Sequence, residues 1–171
     1  MMNIRIAALA SLILVSLGSG CASTSHPSLT VYCHEGELVR TDLGEPGPSH
    51  ADITTWWADV HDVLPESRNP EDSEVVGLAS GYNIVTGPIH LMQDGKSHEY
   101  RVSNFHLSFL DSDDDIVWSG IHDYVHDQGQ LINIAKRPIT GGSGRFRDAR
   151  GEGVVTPLGD DWFKVEIFLK D

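Results

Sequence analysis

Residues 161–169 read DWFKVEIFL, and this stretch decides the fold class. From its third residue on, every second side chain is apolar or aromatic: Phe163, Val165, Ile167 and Leu169. Successive residues of a β-strand point to opposite faces of a sheet, whereas a helix repeats about every 3.6 residues. The period of two therefore predicts a strand with one apolar face.

Upstream, seven more segments have the length and period of strands: 29–40, 52–60, 74–85, 99–110, 115–125, 130–140 and 144–155. Turn-forming residues separate them, for example at Asp94-Gly95 and Leu158-Gly159-Asp160. No segment has an apolar stripe at helical spacing, so nothing would cover a parallel sheet. We therefore predict an all-β fold, an eight-stranded antiparallel β-barrel that can hold one small ligand, with a two-sheet sandwich as the alternative.

The first 28 residues are predicted to lie outside this barrel. Residues 1–20 carry Arg5, then an apolar run, then small residues, which is typical of a signal peptide. The sequence Leu17-Gly18-Ser19-Gly20-Cys21 resembles a bacterial lipobox, with the leucine one position early. Two interpretations stay open: a lipidated Cys21 that anchors the chain in the cell envelope (outer membrane or periplasm), or simple secretion. Residues 21–28 are a tether, and residues 29–171 form the barrel.

The cysteines follow these two interpretations. If Cys21 carries lipid, Cys33 is a free thiol in an exported protein; if Cys21 is an ordinary residue, the two can pair. A lone strand cysteine such as Cys33 is more often a small buried hydrophobic residue than a nucleophile.

The chain is strongly acidic, with 25 Asp and Glu against 12 Lys and Arg and a net charge of −13, and loss of Arg5 with the leader makes it more negative. Such a field repels phosphate backbones and anionic lipid surfaces. We therefore expect no nucleic-acid partner, and membrane attachment only through a lipid anchor. No P-loop, dinucleotide fingerprint or nucleophile elbow is present, so no cofactor is predicted.

Two patterns that imitate metal sites are better explained otherwise. His122 and His126 are four residues apart, but on a strand that spacing is about 13 Å, too far for one ion. Asp111, Asp113 and Asp115 imitate the start of a calcium loop, but no glycine stands in sixth place and His122 stands in twelfth. We predict a solvated turn at the aspartates and no metal.

Residues 138–151 read PITGGSGRFRDARG, and ITGGSGRF followed by ARG resembles the glycine-rich hairpin of allene oxide cyclases and dirigent proteins. VVGLASGYNIV at 75–85 resembles the VG-x-x-x-G strand of both families, and Ala51-Asp52-Ile53 their GD segment. Residues 31–35 resemble the dirigent Y-x-H-D opening strand. The resemblance implies an eight-stranded barrel, a lumen for apolar small molecules, and a homo-oligomer, either a trimer or a dimer.

The resemblance also implies site residues. Glu35 stands at the dirigent aspartate and Arg150 at the arginine of the ARG segment, which implies catalytic roles for both. Cys33 stands where the cyclases carry a catalytic glutamate, Asn83 at a lumen cysteine and His122 at a lumen tyrosine, which implies ligand binding. The period of two places Cys33 and Glu35 on one face. The alternative for Glu35 and Arg150 is an ion pair on the surface.

These residues predict a barrel that binds a small apolar molecule. If it is an enzyme, it is an isomerase or cyclase, or a dirigent-like protein that steers a reactive intermediate by restricting its conformers. One alternative is a non-catalytic envelope lipoprotein, whose interior would be filled by side chains. The other is a carrier module, which would share the hollow barrel but lack paired polar groups inside it.

Overall fold

The computed structural model describes residues 26–170 except 48, 88–89, 93–94 and 128–129, and omits the side chains of 90, 91 and 130. The signal peptide, Cys21 and most of the tether lie outside the described residues. The described residues form ten strands: β1 Leu29–Thr41, β2 Ile53–His61, β3 Val75–Val85, β4 His90–Leu91, β5 Ser97–Phe109, β6 Asp115–Asp127, β7 Gln130–Leu131, β8 Ala135–Gly142, β9 Gly151–Gly159 and β10 Trp162–Leu169.

Eight of these strands close into a barrel. The order of hydrogen-bonded neighbours is β5-β3-β2-β1-β10-β9-β8-β6, and the pairing of β5 with β6 completes the ring. All pairs are antiparallel, and β4 and β7 extend the sheet beside β5 and β6. The predicted all-β, eight-stranded antiparallel barrel is confirmed. In this ring, β1 and β6 lie on opposite walls.

The glycine-rich segment departs from the prediction. Residues 144–150 are not the start of a strand: Gly144–Phe146 form a single 3₁₀ turn, and β9 begins only at Gly151. Gly144 has φ of +54°, and a Cβ there would collide with the Asp114 carboxylate, so this turn requires glycine. The turn carries Phe146 into the barrel end, where its ring lies 6.1 Å from that of Phe109.

Segment 130–140 is also interrupted, with β7 and β8 separated by residues 132–134. β6 pairs with β8 only at its beginning, from Ile116 to Trp118, and with β7 at its end. β6 and β8 therefore have no backbone pairing along the middle of β6, and the side chain of Arg137 lies beside Gly120 there.

The end of the barrel where β1 begins is filled by side chains. The buried apolar residues packed there come from six of the eight barrel strands and from the 3₁₀ turn: Val31, Val60, Leu107, Ile116, Ile139, Phe146 and Ile167. Because they exclude water on all sides, they supply most of the hydrophobic stabilisation that closes the ring. We call this the filled end.

Gly77 and Gly81 explain the VG-x-x-x-G pattern physically. Both occur in the inward phase of β3, and a Cβ at either would collide with a carbonyl oxygen of β5, that of Ser108 or Asn104. A Cβ at Gly81 would also come within 2.8 Å of the Trp56 ring. The two glycines therefore let β3 approach β5 and leave room for an indole against the wall.

Connecting segments pack on the outside of the barrel. Trp162 is fully buried and its Nε1 donates to the Arg68 carbonyl at 2.9 Å, which ties the β2–β3 connection to the wall. In the β1–β2 connection the Asp52 carboxylate accepts hydrogen bonds from Arg40 and from the amides of Leu43 and Ser49. Among the described residues no helix is long and apolar enough to cross a bilayer.

Candidate lumen site

The other half of the barrel encloses a cavity of about 280 Å³. Its walls are mostly apolar and aromatic, with Trp56, Phe105, Trp118, Phe163 and Val165 among the lining side chains. Its polar lining residues are few: Cys33, Glu35, Asn83, Arg101, Tyr124, His126, Asp160 and Asp161. An apolar hollow with a small set of convergent polar groups is the usual form of a small-molecule site.

The wall formed by β1 and the β9–β10 turn is acidic. Glu35 lies at a bulge of β1, and its backbone amide donates to the Asp161 carbonyl at 2.9 Å. Burial raises the pKa of Glu35, and the nearby Asp161 charge raises it further. Glu35 therefore holds its proton to a higher pH than an exposed glutamate, which suits it to donate a proton or a hydrogen bond.

The opposite wall carries a hydrogen-bonded cluster that we call the lumen network: Asn83, Ser103, Tyr124 and Arg137. The Tyr124 hydroxyl donates to Oδ1 of Asn83 at 3.1 Å and accepts from Nη2 of Arg137 at 2.5 Å. Ser103 Oγ lies 3.1 Å from the same hydroxyl. This arrangement fixes the Asn83 amide so that its Nδ2 remains as a donor.

Arg137 is the least expected member of the lumen network. It is 1% exposed, and its guanidinium lies 4.5 Å from the centroid of the Phe105 ring. Burial lowers its pKa, although its interaction with Tyr124 opposes that shift. Its hydrogen bonds go to the hydroxyls of Tyr124 and Ser103, and no carboxylate of the described residues forms an ion pair with it.

A separate ion pair lies next to the network. Arg101 pairs with Glu99, which is 4% exposed, and its guanidinium lies 4.5 Å from the centroid of the Tyr124 ring. His126 lines the cavity beside Tyr124, and burial and then the Arg101 charge lower its pKa. Glu99 neutralises Arg101, so the charge of Arg137 is left over on this wall.

The structure brings together three of the predicted site residues. Cys33, Glu35 and Asn83 line the same cavity, with Cys33 and Glu35 on one face as the period of two predicts. Cys33 is 5% exposed and its pKa is raised to about 12 by burial, so it stays a protonated thiol. Its setting matches the small buried hydrophobic residue of the alternative interpretation.

The other two predicted residues lie elsewhere. His122 touches the network from the side, with its ring 5.3 Å from that of Tyr124 and Nε2 3.0 Å from Asn133, but it does not line the cavity. Arg150 is exposed before β9 at the filled end, and its Nη1 donates to the Ala149 carbonyl. The structure does not bring Arg150 to the cavity that Glu35 lines, because Arg150 follows the turn at Gly144–Phe146 and is exposed.

Arg101, Tyr124 and Arg137 are not among the predicted site residues, although the sequence contains a signal for the two arginines. Phe105, Leu107 and Phe109 recur with a period of two, and the same period continued backwards places Ser103, Arg101 and Glu99 on the same face of the strand. Arg137 likewise shares the phase of Ala135 and Ile139. Within the described part of the chain, no group of three or more His, Cys, Asp or Glu is arranged to hold a metal ion.

The sequence matches no protein-family model and no curated protein. Similar solved structures include the following three. A pyocyanin demethylase has a TM-score of 0.61 and 16% identity, covering 83% of this chain and 98% of its own. A pterocarpan synthase dirigent protein has a TM-score of 0.58 and 18% identity, covering 82% of this chain and 84% of its own. A nonspecific heme-binding cyclase that catalyses a cycloaddition in neoabyssomicin biosynthesis has a TM-score of 0.51 and 16% identity, covering 83% of this chain and 65% of its own. At such identities the similarity establishes the barrel fold alone.

Proposed function

We propose that this chain is an exported barrel that binds a small, mostly apolar molecule in its lumen and steers the cyclisation or stereoselective coupling of a reactive intermediate. The observation that carries the proposal is the cavity of about 280 Å³, apolar on most sides, with Glu35 on one wall and the lumen network on the other. Such a cavity restricts the conformers of a guest and so lowers an entropic barrier.

Two further observations support steering over a filled, purely structural barrel. The solved structures with this fold include a dirigent protein named as a pterocarpan synthase and a cyclase that catalyses a cycloaddition. Glu35 with its raised pKa offers a proton at one wall, and Asn83 and Arg101 offer donors at the other. Steering needs few catalytic groups, so the absence of an activated nucleophile at Cys33 is compatible with it.

Binding is tested first, with the neutral fluorescent probe N-phenyl-1-naphthylamine. Ala79 lies in β3, is buried and lines the cavity. Ala79→Phe therefore fills the lumen. The neighbouring Ser80 points to the opposite face, and Ser80→Phe is the matched control. We expect wild type and Ser80→Phe to bind alike and Ala79→Phe to bind at least about tenfold more weakly. Equal binding by all three refutes a lumen site.

Steering is tested by product chirality. A one-electron oxidant removes an electron and a proton from each of two propenylphenol molecules, and the two phenoxyl radicals join through one new carbon–carbon bond. Free in solution this coupling gives racemic product. We expect an enantiomeric excess with wild type and none with Ala79→Phe. Racemic product from a protein that still binds the naphthylamine probe favours the carrier alternative.

Export to the cell envelope rests on the leader and Cys21. Labelling of the full chain with a clickable fatty acid in a bacterial host, with Cys21→Ser as the control, tests the lipid anchor. Label on wild type alone supports the anchor. An unlabelled wild-type chain in the culture medium supports simple secretion.

A further inference from the structure

We infer that the guest of the lumen carries an oxyanion, such as a carboxylate, which binds at the wall formed by Asn83, Arg101 and Tyr124 and neutralises the charge of Arg137. This inference rests on the proposed function, because it assigns a ligand class to the same cavity. Three observations carry it: an uncompensated buried cation, a lumen with unpartnered donors, and the polarity of the two walls.

The first observation is the charge count on the β5, β6 and β8 side. Among the side chains of these strands that face the interior, Arg101 and Arg137 supply two positive charges, and Glu99, paired with Arg101, supplies one negative charge. Arg137 is buried among Phe105, Tyr124 and Ser103, and its charge acts on its surroundings, because it lowers the pKa of His122 after burial does. A buried charge without a counter-ion costs several kcal/mol in general. A bound anion would supply the counter-ion that Arg137 lacks in the ligand-free barrel.

The second observation concerns hydrogen bonds. Within the described residues, four buried side-chain atoms inside the barrel have no partner: Nε1 of Trp56, Nε1 of Trp118, and Nε and Nη1 of Arg137. All four are donors. Native interiors rarely leave buried polar atoms unpaired, and such atoms call for an explanation. The unpaired buried atoms inside the barrel are therefore all donors, whereas the acceptors of the cavity, Glu35, Asp160 and Asp161, lie on the opposite wall. A guest whose polar atoms are accepting oxygens is complementary to the donor side.

The third observation is the polarity of the cavity. Glu35, Asp160 and Asp161 line one wall, and β1 lies opposite β6 in the ring, where Tyr124 projects. A guest with a carboxylate is therefore repelled from the acidic wall and attracted to Arg101 and the Asn83 amide. The net charge of −13 acts from the outer surface, where salt screens charges beyond about 8 Å at physiological ionic strength.

The test compares two probes of nearly the same shape, 2-naphthoate and 2-naphthamide, by calorimetry and by quenching of tryptophan fluorescence at pH 7. We expect wild type to bind naphthoate at least about tenfold more tightly than naphthamide. In Arg137→Met this preference falls to within about twofold while naphthamide still binds. Arg137→Lys, which keeps the charge, retains a preference. Lys136→Met is the matched control, because Lys136 is exposed on the other face of the same strand, and it keeps the wild-type preference.

The outcomes separate the two proposals. If wild type binds naphthamide as tightly as naphthoate, or if Arg137→Met keeps the full preference, the oxyanion is refuted and lumen binding stands. If neither probe binds, the proposed lumen function is contradicted as well. If Arg137→Met does not fold, the comparison of the two probes on wild type still decides the inference.

Discussion

Nη2 of Arg137 donates to the hydroxyl of Tyr124 at 2.5 Å, which ties a fully buried cation to the side chain that faces Glu35 across the barrel. The tyrosine hydroxyl in turn donates a hydrogen bond to Oδ1 of Asn83. The wall is therefore a fixed array of donors held by strands that are distant in sequence: β3, β5, β6 and β8. Its rigidity comes from three hydrogen bonds that meet at one oxygen.

Arg137→Met is predicted to leave the ligand-free protein as stable as wild type or to stabilise it by about 1–3 kcal/mol. Removal of a buried, uncompensated cation abolishes a desolvation cost, and methionine keeps the contact with Phe105. Urea unfolding of the ligand-free proteins measures the difference. A large loss of stability would mean that the guanidinium contributes more through its hydrogen bonds than its burial costs.

Arg101→Met is predicted to have the opposite effect, a loss of about 3–5 kcal/mol, because Glu99 would be left buried and unpaired. The double variant Glu99→Gln/Arg101→Met should recover much of that loss. Urea unfolding of the two variants, compared with Arg137→Met, checks the contrast. Equal effects at both arginines would contradict the charge count on which the oxyanion inference depends.

Glu35→Gln is predicted to abolish any turnover or enantiomeric excess and to leave the protein folded. The folded state raises the pKa of Glu35, so wild type binds this proton more tightly than the unfolded chain does. Its stability therefore falls as pH rises from the ordinary glutamate pKa through the raised one, and glutamine removes this dependence. Urea unfolding at several pH values measures it.

Glu37→Gln is the control for Glu35, since Glu37 is exposed on the same strand. It should change neither the product chirality nor the pH dependence of stability. Full activity in Glu35→Gln would remove Glu35 from the mechanism and leave shape alone to direct the reaction.

Cys33 is predicted to be nearly inert. With a pKa of about 12 it has almost no thiolate at pH 8, so its reaction with a disulfide reagent should be about a thousandfold slower than that of free cysteine. The experiment uses Cys21→Ser, in which Cys33 is the remaining cysteine. Unfolding in urea should restore the ordinary rate. Rapid labelling of the folded protein would show that the lumen opens readily at this wall.

Asp52→Asn is predicted to lower the midpoint of urea unfolding, whereas Asp42→Asn, an exposed site with one hydrogen bond, leaves it unchanged. The hydrogen bond from Arg40, followed by that from the Ser49 amide, lowers the pKa of Asp52 well below its usual range. The stability that Asp52 contributes is therefore present above the ordinary aspartate pKa and is lost as pH falls below it. A midpoint of urea unfolding that stays constant in the wild type as the pH falls below the ordinary aspartate pKa would contradict this.

The strands of the barrel could be predicted because their information is local. Alternation at 161–169 and at 99–110 needs only one buried face, and turn residues mark where each strand ends. The turn at Gly144 could not be predicted, because Phe146 leaves the strand direction to fill a gap made by side chains from other strands.

The site was predicted only in part, because its contacts also join residues that are distant in sequence. Charged residues are usually exposed, so Arg101 and Arg137 would normally be assigned to the outer face, and only the phase of their neighbours indicates the lumen. Arg150 was chosen from a resemblance in three letters, ARG, whose position depends on how the preceding turn folds. Tyr124 binds side chains from three other strands, and such contacts have no local signature.

The filled end closes one end of the barrel, and the cavity lies in the other half. A molecule held in the cavity therefore cannot leave through the filled end. If the barrel acts on a substrate as we propose, a product that fits as well as its precursor will block the next cycle until it diffuses out. Product inhibition that is competitive with the substrate is the kinetic behaviour expected of a barrel closed at one end.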